Sequence, residues 1–335
     1  MQRSSAESAA PVVARVYDIA NCGPRNRFVA NGKLVHNSGG DGLNLQNLPS
    51  RKSKKIRQAL CAPEGEVLLA CDLSQIEARM LAWMAGQDDL VEAFREGRDV
   101  YSEFATEVFG RRITKADKTE RFVGKTAILS LGYGSGHVKF REMLRIGGVT
   151  VDEAEAQRIV QIYRQKNHAI VSLWNRLGWA IGAMVRGEDY ELYPVNIKHN
   201  SITLPNKLQL NYPHLKLLSN TNFGYLSDPR QVKKYEAGED IPDDKWTKLY
   251  GGKLAENVIQ ALARIVITDH MVKAGRRYPV VFQVHDEIVL SVPERMADNS
   301  QEEVMAIMST PPKWASDLPV ACEAGWAYNY GDVER

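Results

Sequence analysis

The chain has 335 residues, 44% of them hydrophobic and 25% charged, with a formal net charge of +2 at pH 7. That is an ordinary composition for folded domains, long enough for two or three with a sizeable core, and so small a positive charge is only weak support for a polyanionic partner. Cys22, Cys61, Cys71 and Cys322 lack CxxC spacing, no apolar run approaches the ~18 residues of a membrane span, and Met1 to Ala10 is polar; these argue against a zinc knuckle, a membrane protein and a signal peptide, and the chain reads as cytoplasmic.

In chain order, residues 1–10 are of low complexity. "VVARVYDIA" alternates like a strand, and "RFVANGKLVH" is two short apolar runs around Asn31-Gly32, a strong signal for a two-residue hairpin turn. Residues 38–58 form a Gly- and Asn-rich loop that ends in "SRKSKKIRQ". "EVLLACDLS" reads as a buried strand and "IEARMLAWMAG" as a helix. Helical stretches are predicted at about 88–110 and 115–131, and a long one over 152–186. Residues 187–250 are mixed. A helix at about 252–274 leads into "VVFQVHDEIVLSV", two strands around an acidic turn, and a last helix lies near 294–309. Helices and strands interleave without a strict βαβ rhythm, so the class is α+β.

Three patterns carry candidate chemistry. Asp72 ends a strand and Asp286 sits at the tip of a hairpin 214 residues later. Two carboxylates on rigid strand ends suit a pair of Mg²⁺ ions facing phosphates, although either alone reads equally well as a strand end or a turn residue. "SQIE", Ser74 to Glu77, has the form of a capping box. "RFVGKTAILSLGYG" places Arg121, Lys125, Leu129 and Tyr133 at four-residue spacing on one helical stripe. Two cations and an aromatic there could meet a triphosphate and a base, or form a solvated basic face.

In this order the pieces resemble the family A DNA polymerases, those of the polymerase I type. "DLSQIEAR" looks like motif A, "RFVGKTAILSLGYG" like motif B and "VHDE" like motif C, with "LNLQNLPSR" and "ENVIQALARI" as flanking matches; "GRDVYSEFATEVFG" looks most like phage members. The resemblance covers about residues 38–335. It implies a right-hand palm built on an antiparallel sheet plus helical fingers, acting on dNTPs and primer–template DNA. Asp72 and Asp286 would ligate two Mg²⁺ ions (Mn²⁺ being an alternative), with Glu287 a weaker third carboxylate. Arg121 and Lys125 would hold the triphosphate, and Lys125 would donate a proton to pyrophosphate. Tyr133 would stack near the template base, Glu77 would be the steric gate against a 2′-hydroxyl, and Gln75 goes with this nucleotide-binding set. Gln260 and His285 would contact the primer–template, and Gln46, Asn47 and Arg51 the duplex backbone. Leu129 departs from the family, which carries Phe or Tyr there.

The segment before this resembles a different text. "RVYDIANCGPRNRFVANGKLVHN" followed by Ser38 looks like the C-terminal end of an intein, a short β segment of the HINT-type fold. Ser38 would supply the hydroxyl nucleophile, Asn37 would cyclise through its side-chain amide, and His36 would give a proton to the scissile bond. The histidine common near the middle of such blocks is replaced by Arg25, Asn26 and Arg27. The expected organisation is a C-terminal split-intein fragment (1–37), a first palm part (38–85), fingers and connecting region (86–254) and a second palm part (255–335). An N-terminal polymerase half carrying the N-intein, the thumb and an exonuclease domain would be the partner. The alternatives are a catalytically silent complementing fragment and a single-subunit RNA polymerase, the second disfavoured by Glu77.

Overall fold

The computed structural model describes residues 54–219 and 222–334, and ahead of them the backbone of four short strands. These are β1 (Arg27–Ala30) and β2 (Lys33–His36), then β3 (Gly39–Gly40) and β4 (Leu43–Asn44). β1 and β2 pair antiparallel from Arg27 with His36 to Ala30 with Lys33, so Asn31 and Gly32 are the connecting pair, as the sequence signal requires.

The short helix α1 (Lys55–Gln58) precedes β5 (Glu66–Leu73). Helices α2 (Ile76–Ala85), α3 (Asp88–Arg95), α4 (Val100–Phe109), α5 (Lys118–Leu131), α6 (His137–Ile146), α7 (Glu153–Lys166) and α8 (His168–Arg186) follow. Strands β6 (Tyr190–Leu192), β7 (Val195–Lys198), β8 (Ser201–Thr203) and β9 (Gln209–Asn211) form one meander. A second small sheet holds β10 (Lys216–Ser219), β11 (Asn222–Tyr225) and β12 (Thr247–Leu249), with α9 (Pro229–Glu236) inserted between the last two. The chain closes with α10 (Gly251–Ala274), β13 (Val280–Val284), β14 (Glu287–Pro293), α11 (Ala297–Met308) and β15 (Cys322–Ala327).

The site is positioned by one antiparallel sheet in the order β13-β14-β5-β15. β5 is an unbroken apolar run because both its faces are covered. Val67, Leu69, Cys71 and Leu73 join the core shared with α2, α8, α10 and α11, while Leu68 and Ala70 pack with Val289 and Tyr330 on the other side. A second core joins α3 to α7, with Ala78 and Ala82 contributed by α2. This α+β architecture of antiparallel sheets and helices agrees with the expected class.

Three predicted elements differ. The helix expected over 152–186 is two, broken at the buried Asn167, which leaves helical geometry at φ −100° and ψ 51° and whose Nδ2 joins its own backbone amide on the Tyr163 carbonyl. The helix expected at 88–110 is likewise two, α3 and α4, separated by Gly97 in the left-handed region at φ 68°. The tail contributes β15, an edge strand that composition did not mark.

Candidate active site

The β5–β14 register sets Asp72 opposite Glu287, and the β5–β15 register sets it opposite Glu323, so three acids share one rung of the sheet. Asp286 lies one residue before β14, in the turn from β13, and its carbonyl accepts the Leu73 amide at 3.0 Å. The two aspartates that are far apart in sequence are thereby neighbours. Burial, then the Asp72 carboxylate, with smaller contributions from Glu77 and Glu287, pushes the Asp286 carboxyl up to about 7. Among the described residues no group of three or more His, Cys, Asp or Glu side chains has metal-binding spacing. The two aspartates still suit a hard divalent cation, since Mg²⁺ takes one or two carboxylates and completes its shell with water and phosphate oxygens.

His285, which shapes the turn, is exposed and has φ 52°. Its carbonyl receives Gln283 Nε2 at 3.0 Å and Arg264 Nη1 at 3.4 Å, so α10 braces the acidic turn from behind. Gln260 is exposed on the same helix.

α5 carries Arg121, Lys125 and Leu129 as one stripe, the two cations half-buried and Leu129 41% exposed, while Val123, Ala127 and Leu131 are buried in the second core; Tyr133, expected on the same helical stripe, is half-buried in the turn after the helix ends at Leu131. Its cations are engaged from below by α4. Arg121 makes a two-point ion pair with Asp99, Nε to Oδ2 at 2.7 Å and Nη2 to Oδ1 at 3.1 Å. Asp99 also caps α4, accepting from Ser102 Oγ at 2.7 Å. Burial pushes the Asp99 carboxyl up, but the hydrogen bonds from Arg121 and Ser102 outweigh it and hold it below its ordinary value. The Tyr101 ring lies beneath both cations, 5.3 Å from the Arg121 guanidinium and 5.8 Å from Lys125 Nζ, and burial pushes its phenol up to about 12.

Tyr133 closes the link between the two motifs, its hydroxyl donating to Glu77 Oε2 at 2.8 Å. Burial, then the Glu77 carboxylate, raises the Tyr133 phenol far above its ordinary value. This corrects the capping-box reading. α2 begins after Gln75, which sits in the left-handed region at φ 56°, so Glu77 is the second helical residue and its carboxylate points to α5. Ser74 Oγ caps nothing and has no hydrogen-bond partner among the described residues. Arg79 holds this start instead, with Nε on the Ser74 carbonyl at 2.7 Å and Nη1 on the carbonyls of Phe94 and Pro319.

Asp99, Tyr101, Arg79 and Arg264 were missed by sequence reasoning. Asp99 could have been found as the polar residue before an apolar-periodic helix, but only as a cap. Of the remaining sequence candidates, Asn37, Ser38, Gln46, Asn47 and Arg51 lie outside the described residues, and His36 is described only by its backbone in β2.

Residues 30–178 match the family model of DNA polymerase family A. Over that stretch the chain is similar to the family A DNA polymerases. It is 31% identical over 301 residues to the DNA polymerase of Bacillus phage SP02, covering 84% of this chain and 44% of the phage protein. To DNA polymerase I of Pseudomonas aeruginosa it is 28% identical over 293 residues, 87% of this chain and 28% of that protein. The fold is similar to the POL domain of Pol1 from M. smegmatis, solved in complex with DNA primer-template and dNTP, with a TM-score of 0.62 at 22% identity over 87% of this chain and 45% of that chain. The chain thus spans less than half the length of these relatives.

The Asp99–Arg121 pair leads to an expected result. Asp99→Asn keeps a good helix cap and removes the charge paired with Arg121. A half-exposed pair is worth about 1 kcal/mol, so the variant should lose about that much stability in a denaturant melt. An unchanged stability would mean that the pair contributes nothing to the fold.

Proposed function

We propose that this chain is the palm and fingers part of a phage-type family A polymerase, adding deoxynucleotides to a primer 3′-hydroxyl on a DNA template in the host cytoplasm. The observation that carries this is the β5–β14 register, which brings Asp72 to Asp286 at the end of the sheet and crowds their charge. Those two residues would hold two Mg²⁺ ions, or Mn²⁺ in their place. Bound there, the metals would supply activation of the primer hydroxyl and neutralisation of the leaving pyrophosphate.

The chain's own residues then have separable tasks. Lys125, a movable point charge, and Arg121, a planar fork, would hold the triphosphate above Tyr101. Glu77, fixed by Tyr133, would occupy the space a ribose 2′-hydroxyl needs, favouring deoxynucleotides over the ribonucleotides of an RNA polymerase. Gln75 would lie beside that nucleotide. Gln260 and His285 would face the primer terminus and minor groove, with Gln46, Asn47 and Arg51 on the duplex backbone and Glu287 supporting the metal-binding pair.

Residues 1–37 would be the C-terminal fragment of a split intein. Its partner would be an N-terminal polymerase half carrying the N-intein, joined to Ser38 through the chemistry of His36, Asn37 and Ser38. The remaining boundaries of this reading are 38–85 and 255–335 for the palm and 86–254 for the fingers and connecting region. Among the described residues no helix is long and apolar enough to cross a membrane. Alone, the chain should bind primer–template but extend it little; the rival reading is a complementing fragment that never catalyses.

The test is intact mass and primer extension after mixing with the matching N-terminal half. Loss of residues 1–37, a new peptide bond at Ser38 and Mg²⁺-dependent extension that disappears in Asp72→Ala support the proposal. Extension that survives Asp72→Ala overturns the assignment of the site, and an unchanged mass overturns the intein.

Leu129 gives a further expected result. An aromatic at this exposed position of α5 would offer more stacking area to a nucleotide than leucine does, and the fold should tolerate it. Leu129→Phe should change the dNTP insertion rate and the use of dideoxynucleotides. Pre-steady-state insertion kinetics identical to wild type, with identical dideoxynucleotide use, would remove Leu129 from the nucleotide site.

A further inference from the structure

Arg79, on the fourth residue of α2, is 6% exposed, and its guanidinium binds three backbone carbonyls from three separate parts of the chain. Nε donates to Ser74, just after β5, at 2.7 Å. Nη1 donates to Phe94, in the last turn of α3, and to Pro319, ahead of β15, both at 3.1 Å. The guanidinium also lies over the Phe94 ring, 4.8 Å from its centroid. Phe94 belongs to the second core and Leu318, next to Pro319, to the first, so one side chain spans both. Burial lowers the Arg79 pKa, and the Tyr101 phenol and the Glu323 carboxylate push it back up. The three carbonyls are neutral. A buried cation held by neutral partners is a costly way to join two cores, and a well-packed apolar side chain of the same volume would join them at least as well. It could not hold a carbonyl in place.

The carbonyl that matters is that of Ser74. Asp72 and Glu77 are five residues apart, and the link between them passes through Gln75 at φ 56° and ψ 34°. That left-handed conformation is uncommon for a residue with a side chain and persists only where its surroundings impose it. Here each backbone group around it is tied. The Leu73 amide donates to the Asp286 carbonyl at 3.0 Å and the Ser74 amide to the Ala321 carbonyl at 2.9 Å. Arg79 adds two more ties, its Nε on the Ser74 carbonyl and its own amide on that of Gln75 at 3.0 Å. Through Pro319, two residues before Ala321, the guanidinium also holds the segment that receives the Ser74 amide.

We infer that Arg79 is a positioning residue for sugar selection, fixing the backbone between Asp72 and Glu77 and so the place of the Glu77 carboxylate relative to the metal-binding aspartate. The inference rests on the polymerase reading above and adds the side chain that sets the distance of the gate. Tyr133 aims the Glu77 carboxylate; Arg79 sets where its backbone stands. A slack link lets Glu77 withdraw and leaves room for a 2′-hydroxyl. Lysine keeps the charge but is a single point donor, and it cannot serve Ser74, Phe94 and Pro319 together.

The test has two readouts. The first is amide hydrogen exchange in the full chain alone. In Arg79→Lys the Leu73 and Ser74 amides should exchange about tenfold faster relative to those of Leu69 and Ala70 in the middle of β5. The second is single-nucleotide insertion after mixing with the N-terminal half. The preference of the variant for dNTP over rNTP should fall by about tenfold, through a rise in kcat/KM for rNTP. Phe94→Leu removes the ring beneath the guanidinium and keeps every carbonyl. It should move both readouts the same way by less, and it carries the test if Arg79→Lys fails to fold. Ile197→Ala, buried in the β6–β9 meander, should lose stability and change neither. Exchange that rises equally along β5 gives Arg79 a merely structural role and overturns the inference. An unchanged sugar preference in a variant whose Leu73 and Ser74 amides exchange faster overturns it too, and both results leave the polymerase reading intact. Wild type that fails to extend, or that uses rNTP as readily as dNTP, overturns the Glu77 gate and the inference together.

Discussion

Replacing Asp286 by asparagine is expected to make the protein more stable in metal-free buffer at pH 8 and, on the proposed reading, to cost at least a thousandfold in nucleotidyl transfer once the chain is mixed with an N-terminal half. Both effects follow from the same charge. The Asp286 carboxyl is pushed from its ordinary 3.8 up to about 7, because it is buried next to Asp72 and near Glu77 and Glu287. A carboxyl whose folded pKa is raised binds its proton more tightly in the folded state than in the unfolded one. Its penalty is therefore absent below pH ~4, grows as pH rises through the range up to about 7, and is complete at pH 8. The ceiling on that penalty is about 4 kcal/mol, with relaxation reducing it. Asparagine removes the charge, so the variant's Tm should exceed that of wild type at pH 8 and approach it at pH 5. Adding Mg²⁺ should raise the Tm of wild type more than that of the variant. The loss of activity corresponds to the several kcal/mol a bound metal contributes to phosphoryl transfer. A variant that melts below wild type at pH 8 would show that favourable contacts outweigh the repulsion.

Gly124→Ala is expected to destabilise the protein by about 2–4 kcal/mol, against the usual gain from replacing a mid-helix glycine. Gly124 lies on α5 where α4 crosses closest. A β-carbon there would sit 2.1 Å from the Tyr101 carbonyl oxygen and 3.1 Å from Ala105 Cβ. The first obstacle is backbone, so no side-chain rotation relieves it and the two helices must part. Parting them moves Asp99 and Tyr101 away from Arg121 and Lys125. Gly178→Ala is the control. That glycine is also within a helix, α8, but nothing lies within 4 Å of its β-carbon position, and the same substitution should be neutral or add up to about 1 kcal/mol. Denaturant melts of the two variants should move in opposite directions relative to wild type, or differ by several kcal/mol if Gly178→Ala is neutral; equal shifts would refute the steric account.

How far the sequence carried depends on whether a feature was local. β5 was legible because a short apolar run of strand length, preceded by Pro63 and Gly65, favours a covered strand. The stripe of Arg121, Lys125 and Leu129 was legible because helical spacing alone puts the three on one face, whereas Tyr133 lies in the turn beyond the helix. The Asn31-Gly32 hairpin was legible from its turn residues. What could not be read depended on contacts across the fold. Arg121 shows its spacing in the sequence but not its partner, since Asp99 reaches it from another helix. "SQIE" has the letters of a capping box, yet Tyr133, 56 residues on, takes the carboxylate that would have closed it. Asn167 breaks a run with otherwise continuous helical pattern, its backbone leaving helical geometry while its side chain and amide both close on the Tyr163 carbonyl. β15 is short and mixed in composition, and it becomes a strand because β5 offers it an edge.

The position of β5 at the centre of its sheet has a consequence for how the protein is made. The strands on its two edges are β14 and β15, among the last segments to be synthesised. Once β5 leaves the ribosome, about 200 residues must be translated before either edge can be covered. At ~5–20 residues per second that interval is roughly 10–40 s, during which an apolar strand offers two open ladders to any neighbouring nascent chain. Yield in a heterologous host should therefore depend on elongation rate and chaperone supply more than on the stability of the finished protein. Slow codons would do most harm between β5 and β14, and would be tolerated after β15.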